Sequence, residues 1–286
     1  MTGEPARAGA GFTAAVDQAT AGYRLPLAEL VPAACRAGFP VLEVPAFALA
    51  HYRHEHGHHG LVRFLDRHQV RIGQVSCGTG IPADLTVPAA RWPQATARWR
   101  QTCSLAASVG RGRLSVFVPH AAADAGQVAA RLGQLAALAA DYALEVSIEV
   151  HAPALLPQAA HLMRRAAAPN AGLLVDVAAL VLAGLDPARH IAAQPAGAVG
   201  WVHLADLPHL PAPGMGRPPR VLPGAGCLPL AQALTALRDV GYAGPVAVEV
   251  PRDEPYAQDT AAHLTRAATA LTGSALAPFF TPGGIR

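Results

Sequence analysis

Four apolar segments of the sequence each contain one side chain that can bind a metal ion. The segments are VSIEV, LLVDV, GWVHLAD and PVAVEV, and the side chains are Glu149, Asp176, His203 and Glu249. An ionised group buried in an apolar strand is costly unless it is paired, and a divalent cation bound among the four would remove that cost. Three carboxylates and one imidazole favour Mn²⁺, Mg²⁺ or Co²⁺, with Zn²⁺ also open. In the alternative interpretation, each acid pairs separately with an arginine.

The spacing of these residues predicts the elements that carry them. Glu149, Asp176 and His203 follow one another at intervals of 27 residues, and Glu249 comes 46 residues later. An interval near 27 residues fits one strand and one crossover helix. Each residue lies at or near the C-terminal end of its apolar segment, and in a β/α barrel that end forms the active-site mouth. We therefore expect the four side chains to meet there.

Short β-branched segments alternate with longer Ala- and Leu-rich segments along the whole chain, which is typical of repeated βα units. Strands are predicted at 11–16, 41–44, 71–75, 114–118, 145–150, 172–177, 200–204 and 245–250, and helices between them include 27–37, 95–109, 127–143, 156–167 and 228–240. No GxGxxG motif follows a strand, which argues against an open nucleotide-binding sheet. The predicted fold class is α/β, a single (β/α)8 TIM barrel. Residues 1–10 are predicted as a flexible tail, 11–272 as the barrel and 273–286 as a C-terminal extension.

The composition excludes several classes of function. The 286 residues are 52% hydrophobic and 14% charged, with a formal net charge of +3 and no basic run, so nucleic acid is not an expected partner. All 22 basic residues are arginine. Schiff-base catalysis, pyridoxal phosphate attachment and a P-loop all need a lysine, so none of these mechanisms is open to this chain.

The cysteines and the apolar segments predict a location. Cys35, Cys77, Cys103 and Cys227 have no CxxC spacing and are read as reduced thiols. The N-terminus lacks the apolar region of a signal peptide, and no uninterrupted apolar stretch is long enough to cross a membrane. We expect a cytoplasmic protein without a membrane partner.

Motifs along most of the chain resemble one known family. They are DQAT at 17–20, GFPVLEV at 38–44, IE at 148–149, VD at 175–176, VHLAD at 202–206, RVLPGAG at 220–226, GYAG at 241–244 and VEV at 248–250. This pattern is similar to the xylose isomerase-like TIM-barrel superfamily of sugar phosphate isomerases and epimerases. Within that superfamily it looks most like the 2-keto-myo-inositol isomerases.

The resemblance implies a role for each residue of the pattern. Glu149, Asp176, His203 and Glu249 would hold one divalent metal ion, either Mn, Mg, Co or Zn, and Glu149 and Glu249 would also act as the acid/base pair. Arg220 would face substrate oxygens from the long loop after the seventh strand.

Five further residues are candidates by position. Glu43 ends the second strand and is expected to point into the mouth, unless it pairs with a barrel arginine. His120, Gln18 and Tyr256 are further candidates for substrate binding, although His120 and Tyr256 are equally consistent with surface loops. Asp206 would either orient a metal ligand or cap a loop.

These residues predict a divalent-metal-dependent isomerase or epimerase. Its substrate would be a ketose or keto-cyclitol, converted through a cis-enediolate with glutamate acid/base catalysis. Loss of a β-hydroxyl from the same intermediate would make the protein a dehydratase of the inosose or 3-dehydroshikimate type. A barrel that binds a sugar without turnover is the third alternative. A homodimer or homotetramer is expected from the resemblance.

Two departures from the family pattern bear on the substrate. Many relatives carry a histidine three residues after the sixth-strand aspartate, but Ala179 stands there, and Gln18 stands where relatives carry an acid. The extra Asp-x-His pairing of the related apurinic endonucleases is also missing.

A histidine-rich segment runs from His51 to His59. Its five histidines are interpreted as a solvated helix in preference to a metal site.

Overall fold

The computed structural model describes residues 11–77, 84–110, 112–118, 124–151, 155–211, 218–252 and 259–281. Eight parallel strands form a closed barrel in chain order, with the last strand paired to the first. The strands are β1 (Thr13–Asp17), β2 (Val41–Pro45), β3 (Arg71–Ser76), β4 (Arg113–Val118), β5 (Glu145–Val150), β6 (Ala171–Asp176), β7 (Val199–Leu204) and β8 (Pro245–Val248). The predicted (β/α)8 TIM barrel is therefore confirmed.

Helices surround the barrel and bury its outer face. In the described residues they are α1 (Gln18–Ala21), α2 (Leu27–Ala37), α3 (Ala46–Arg67), α4 (Trp92–Ala107), α5 (Ala125–Ala140), α6 (Ala159–Ala166), α7 (Val177–Leu182), α8 (Pro187–Ala192), α9 (Leu230–Asp239) and α10 (Thr260–Thr272). None of them is long and apolar enough to span a membrane.

Helix α2 shows how the sequence sets such an element. Leu27, Leu30, Val31 and Ala34 are buried, and their spacing puts them on one face of a helix. The helix ends at Gly38, whose φ of 90° is left-handed and therefore favours glycine. The chain then turns directly into β2.

A small apolar cluster fills the inside of the barrel below its mouth. Its members are Ala15, Val41, Leu174, Trp201 and Ala247, each on a different strand. Trp201 is 1% exposed and is the largest of them. The close approach of Trp201 requires Gly73, since a Cβ atom there would lie 2.8 Å from the indole Cη2.

This cluster fixes the position of the polar residues above it. Side chains in a strand alternate between the two faces, so a residue two positions after a cluster member also faces the barrel interior. The residues at these positions are Asp17, Glu43, Asp176, His203 and Glu249. The apolar cluster is thus the floor of a polar chamber at the C-terminal ends of the strands.

The end of the described chain packs against its beginning. Phe280 is 5% exposed, and its ring centroid lies 6.3 Å from that of Phe12. The amide of Phe12 donates to the carbonyl of Phe279 at 2.7 Å. This segment therefore covers the chain just before β1. Residues 1–10, predicted as a flexible tail, lie outside the described residues.

Candidate metal and acid-base site

The four predicted metal ligands converge at the C-terminal ends of four neighbouring strands. Glu149 is the penultimate residue of β5, Asp176 is the last of β6, His203 is the penultimate residue of β7, and Glu249 directly follows β8. One ligand atom each of Glu149, Asp176 and His203 lie within 4.8 Å of one another. Glu249 Oε2 lies 3.3 Å from His203 Nδ1. The structure thus brings together the residues that the sequence pattern selected.

Arg220 closes the gap between two of these ligands. Its Nη2 donates to Asp176 Oδ2 at 2.5 Å, and its Nη1 donates to Glu249 Oε2 in a short hydrogen bond. The other Asp176 oxygen accepts the amide of Ala179 at 3.0 Å and so caps α7. The family resemblance led us to expect a histidine at this position, whereas here the backbone amide of Ala179 binds Asp176.

The charges of this group shift two pKa values in opposite directions. Burial opposes ionisation of Glu249, but His203 and Arg220 outweigh it and lower the pKa of Glu249 to about 2. Burial likewise opposes the charge of Arg220, whose pKa is nevertheless raised because Asp176 and Glu249 are adjacent. Both residues are therefore charged at neutral pH.

His203 lies between two carboxylates. Its Nε2 is 2.7 Å from Glu43 Oε2, and its side chain is 4% exposed. Glu43 is itself 1% exposed, and its second oxygen accepts from Gln74 Nε2 at 2.9 Å. Glu43 therefore contacts a predicted ligand and is sealed from solvent, and its contact with substrate stays a prediction. The alternative arginine partner is wrong, since the partners that the structure describes are His203 and Gln74.

Asp17 is a further acid in this chamber that the sequence analysis did not select. Its Oδ1 accepts the amide of Ala19 at 2.6 Å. Burial, together with the neighbouring Glu43 and Glu249, raises the pKa of Asp17 well above its usual range. The chamber thus holds more acids than its basic groups can balance.

A model of the xylose isomerase-like TIM barrel family matches residues 31–267, which is most of the chain. The chain belongs to this family. No curated protein matches it.

Three solved structures illustrate the range of proteins that share this barrel. The IolI protein with a bound zinc atom is 16% identical over 95% of this chain and 100% of its own, with a TM-score of 0.79. D-psicose 3-epimerase is 17% identical over 94% and 100%, with a TM-score of 0.75. The probable 3-DHS dehydratase AsbF from Bacillus anthracis is 15% identical over 91% and 99%, with a TM-score of 0.72. At these identities the likeness shows the fold alone.

The chamber of this xylose isomerase-like barrel has the chemistry of a divalent cation site. Five carboxylates face the guanidinium of Arg220 and the imidazoles of His203 and His151; the acids are Asp17, Glu43, Glu149, Asp176 and Glu249. His203 Nδ1 is buried and has no hydrogen-bond partner among the described residues, although Glu249 Oε2 is near. A buried imidazole nitrogen beside several carboxylates offers, once it is deprotonated, the donor set that a divalent metal ion uses. Glu149, Asp176, His203 and Glu249 therefore fit such an ion.

Asp206 caps the loop that carries Arg220. Its Oδ1 accepts the amides of Leu207 and Leu228, both at 2.9 Å, and its Oδ2 accepts those of Gly224 and Gly226 at 3.0 and 3.1 Å. Of the two roles considered for Asp206, the structure shows the loop cap, because both carboxylate oxygens are used by backbone amides. Its effect on the site is exerted through the loop.

Gln18 is buried and bonded to the loop that follows α1. It is 1% exposed, and its Nε2 donates to the carbonyls of Tyr23 and Leu25 at 3.2 and 2.9 Å. The amide nitrogen therefore fixes the loop after α1, and the expected substrate contact stays a prediction. That loop carries Tyr23, which is 48% exposed. Desolvation of the hydroxyl group and the nearby acids Asp17 and Glu249 raise the pKa of Tyr23.

The two remaining substrate-binding candidates, His120 and Tyr256, lie outside the described residues.

His151 is a functional candidate that the sequence pattern did not identify. Its Nε2 lies 3.1 Å from Glu149 Oε2, and its side chain is 29% exposed. The sequence signal that could have identified His151 is its position, two residues after Glu149 and directly after β5. Although burial opposes it, contact with Glu149 raises the pKa of His151.

The histidine-rich segment forms the surface helix that was expected. It lies in α3, and His51 is paired with Glu55 at 3.5 Å while both are exposed. Gly57 has φ 70° and ψ 170°, which breaks the helical register between His54 and His58. In the described part of the chain, the groups of three or more residues that can hold a metal ion are all in the barrel mouth.

Proposed function

We propose that this protein is a divalent-metal-dependent isomerase or epimerase of a ketose or keto-cyclitol. The observation that carries the proposal is the convergence of Glu149, Asp176 and His203 within 4.8 Å, with Glu249 3.3 Å from His203 and Arg220 in contact with Asp176 and Glu249. A polar, acid-rich chamber at the mouth of a TIM barrel is where barrel enzymes hold their substrates.

The cation, when bound, would polarise a substrate carbonyl and offset the negative charge of an enediolate. Glu249 remains ionised at neutral pH because of His203 and Arg220, so it is available to accept the proton on the carbon beside the carbonyl. Arg220 donates hydrogen bonds at the edge of the chamber and is suited to orient substrate oxygens.

Glu149 is the second acid/base group. It lies on β5, and His151 is within 3.1 Å of its carboxylate. The raised pKa of His151 favours a proton on its imidazole near neutral pH. Glu149 can therefore return a proton to the substrate, and the partly exposed His151 can restore it from solvent. Return to the neighbouring carbon gives isomerisation, and return to the opposite face gives epimerisation.

The test combines metal analysis with proton exchange in D₂O. Purified protein is analysed for Mn, Mg, Co and Zn, and a panel of inososes and ketoses is incubated with wild type, Glu249→Gln and Glu149→Gln. We expect one equivalent of metal per chain and deuterium incorporation that both substitutions reduce by at least about 100-fold. A 1:1 metal content without exchange would support the sugar-binding alternative, and a metal-free protein without exchange would contradict the proposal.

The products distinguish the remaining reactions. An isomerised or epimerised sugar supports the proposal, whereas loss of water would identify a dehydratase on the same scaffold. The metal, a cytoplasmic location and a homodimeric or homotetrameric state stay predictions, to be checked by elemental analysis, fractionation and light scattering.

A further inference from the structure

The two ring nitrogens of His203 have different surroundings. Nε2 is within hydrogen-bond distance of Glu43 Oε2, at 2.7 Å. Nδ1 faces the chamber, 3.3 Å from Glu249 Oε2, and has no hydrogen-bond partner among the described residues. A neutral imidazole carries one N–H and one lone pair, and the hydrogen bond at one nitrogen decides which is which.

Glu43 is held in the orientation that His203 needs. Its Oε1 accepts from Gln74 Nε2 at 2.9 Å, and a side-chain amide nitrogen can only donate. Gln74 is fully buried on β3, and Glu43 is 1% exposed on β2. Glu43 therefore has no solvent to turn toward, and its Oε2 remains directed at His203.

We propose that Glu43, held by Gln74, is the positioning residue of the metal site. By accepting the Nε2 hydrogen of His203, it leaves Nδ1, on the side of Glu249, as the ring nitrogen that can bind a cation. Metal-binding histidines commonly donate their second nitrogen to a carboxylate in this way, and loss of that partner weakens metal binding. The proposal rests on the proposed function for the presence of a cation, whereas the hydrogen bond itself does not depend on it.

A second grouping competes with this interpretation. Ligand atoms of Asp17, Glu43 and His203 also lie within 4.8 Å of one another and are buried. However, Gln74 occupies Glu43 Oε1, and the Ala19 amide occupies Asp17 Oδ1 at 2.6 Å. A cation there would have to displace the Nε2 hydrogen. We therefore expect one cation per chain, and a second equivalent lost in Glu43→Leu would overturn the proposal.

The test uses Glu43→Leu, which removes the acceptor, and Glu43→Gln, which keeps an oxygen that can accept from His203. Gln74 can adapt to the second change, since its own Oε1 has no partner in the described structure and its amide can turn over. Ser147→Ala is the matched control, because it removes a fully buried hydroxyl of the barrel that has no hydrogen-bond partner among the described residues.

Two readouts are measured on the full-length chain. The first is the dissociation constant for Zn²⁺ or Co²⁺, obtained by competition with a chelator. We expect Glu43→Leu to weaken it about 10- to 100-fold, Glu43→Gln to weaken it less and Ser147→Ala to leave it unchanged. The second is the NMR signal of the His203 ring in ¹⁵N-histidine-labelled protein, assigned by comparison with His203→Asn.

The NMR readout separates this proposal from the proposed function. A slowly exchanging proton on Nε2 is expected in wild type and Glu43→Gln, with or without metal, and it should be lost in Glu43→Leu. If no cation binds to wild type but this proton is present, the proposed function fails while the positioning of His203 stands. Unchanged metal affinity and an unchanged Nε2 proton in folded Glu43→Leu would overturn the positioning role.

Discussion

Arg220 and Asp176 meet in a 2.5 Å contact between Nη2 and Oδ2, although they lie 44 residues apart in the chain. The same guanidinium also contacts Glu249, so one arginine neutralises two of the predicted metal ligands. Arg220 and a divalent cation therefore serve overlapping electrostatic roles. Two positive groups that share the same carboxylates must affect each other's contribution to stability.

The first prediction concerns Arg220→Gln. Breaking a buried ion pair by removing one partner typically costs about 3–5 kcal/mol, because the other charge is left uncompensated. We expect a loss near the lower end of that range in metal-free protein, since the Arg220 side chain is 18% exposed. The loss should be clearly smaller in metal-saturated protein, where a cation compensates Asp176 and Glu249. Urea unfolding in chelator and in excess metal measures both values.

Arg131→Gln is the control for this experiment. Arg131 is 5% exposed and donates to the carbonyls of Leu85 and Val87, and it contacts none of the four predicted ligands in the described structure. Its loss should cost the same with and without metal. An equal cost for Arg220→Gln in the two conditions would show that the arginine and the cation do not share a role.

The second prediction concerns the cap of the Arg220 loop. Asp206→Ala removes the acceptor of four backbone amides, so we expect the loop to loosen and proton exchange on substrate to fall at least about 10-fold. Metal affinity should change little, since Asp206 touches none of the four ligands in the described structure. Exchange rates and metal titration of the same preparation measure the two effects.

A substitution at Gly226 tests the same cap by crowding the Asp206 carboxylate instead of removing it. A Cβ atom at Gly226 would lie 2.2 Å from the Leu207 carbonyl oxygen and 2.5 Å from Asp206 Oδ1. Gly226→Ala should therefore reproduce the effect of Asp206→Ala. Asp186→Ala, which removes the cap of α8 at Arg189, is the control and should leave exchange unaltered. Normal exchange in both loop variants would be evidence against the coupling.

The barrel and its four predicted ligands could be read from the sequence because they depend on local patterns. The alternation of apolar and polar side chains within a strand and the repeat of βα units can both be recognised in consecutive residues of the sequence. Glu149 and Asp176 are examples: each is an acid at the end of an apolar strand, and the closed barrel supplies the rest of the geometry.

The features of the site that the sequence could not predict depend on the exact ends of strands and on contacts across the barrel. The first strand was predicted to end at residue 16, whereas β1 includes Asp17. Alternation from Ala15 then puts Asp17 inside, and Gln18 begins α1 and bonds the following loop. The bond from Glu43 to His203 spans 160 residues and depends on how the ring is rotated, which no local pattern encodes.

The third prediction concerns Asp17 and pH. The pKa of Asp17 is raised in the folded protein by burial, Glu43 and Glu249, while its unfolded-state value is about 3.9. The carboxyl group therefore carries no penalty below that value and destabilises the fold increasingly as the pH rises toward the folded-state pKa. Asp17→Asn keeps an oxygen for the Ala19 amide and removes the charge.

We expect metal-free Asp17→Asn to be more stable than wild type at pH 8, on the order of 1 kcal/mol or more, and to lose most of this advantage at pH 4.5. Urea unfolding of both proteins at the two pH values gives the difference. Asp66→Asn, at an exposed position in α3, should show no such trend. A stability gain that is the same at both pH values would mean that the charge of Asp17 is not its cause.

The fourth prediction concerns the floor of the chamber. A Cβ atom at Gly73 would lie 2.5 Å from Val41 Cγ1 and 2.8 Å from Trp201 Cη2, so alanine cannot be accommodated without displacing the indole or the valine. Overpacking of this kind costs about 1–3 kcal/mol. Trp201→Phe replaces the indole with a smaller ring and should relieve part of the clash. The double variant should therefore be more stable than the sum of the two single changes implies, by at least about 0.5 kcal/mol.

The same cycle should also change metal binding. Because His203 follows Trp201 by two residues on β7, we expect Gly73→Ala to weaken metal binding and Trp201→Phe to restore part of it. Urea unfolding and chelator competition on all four proteins of the cycle measure both effects, and strictly additive stabilities would show that Gly73 and Trp201 do not constrain each other.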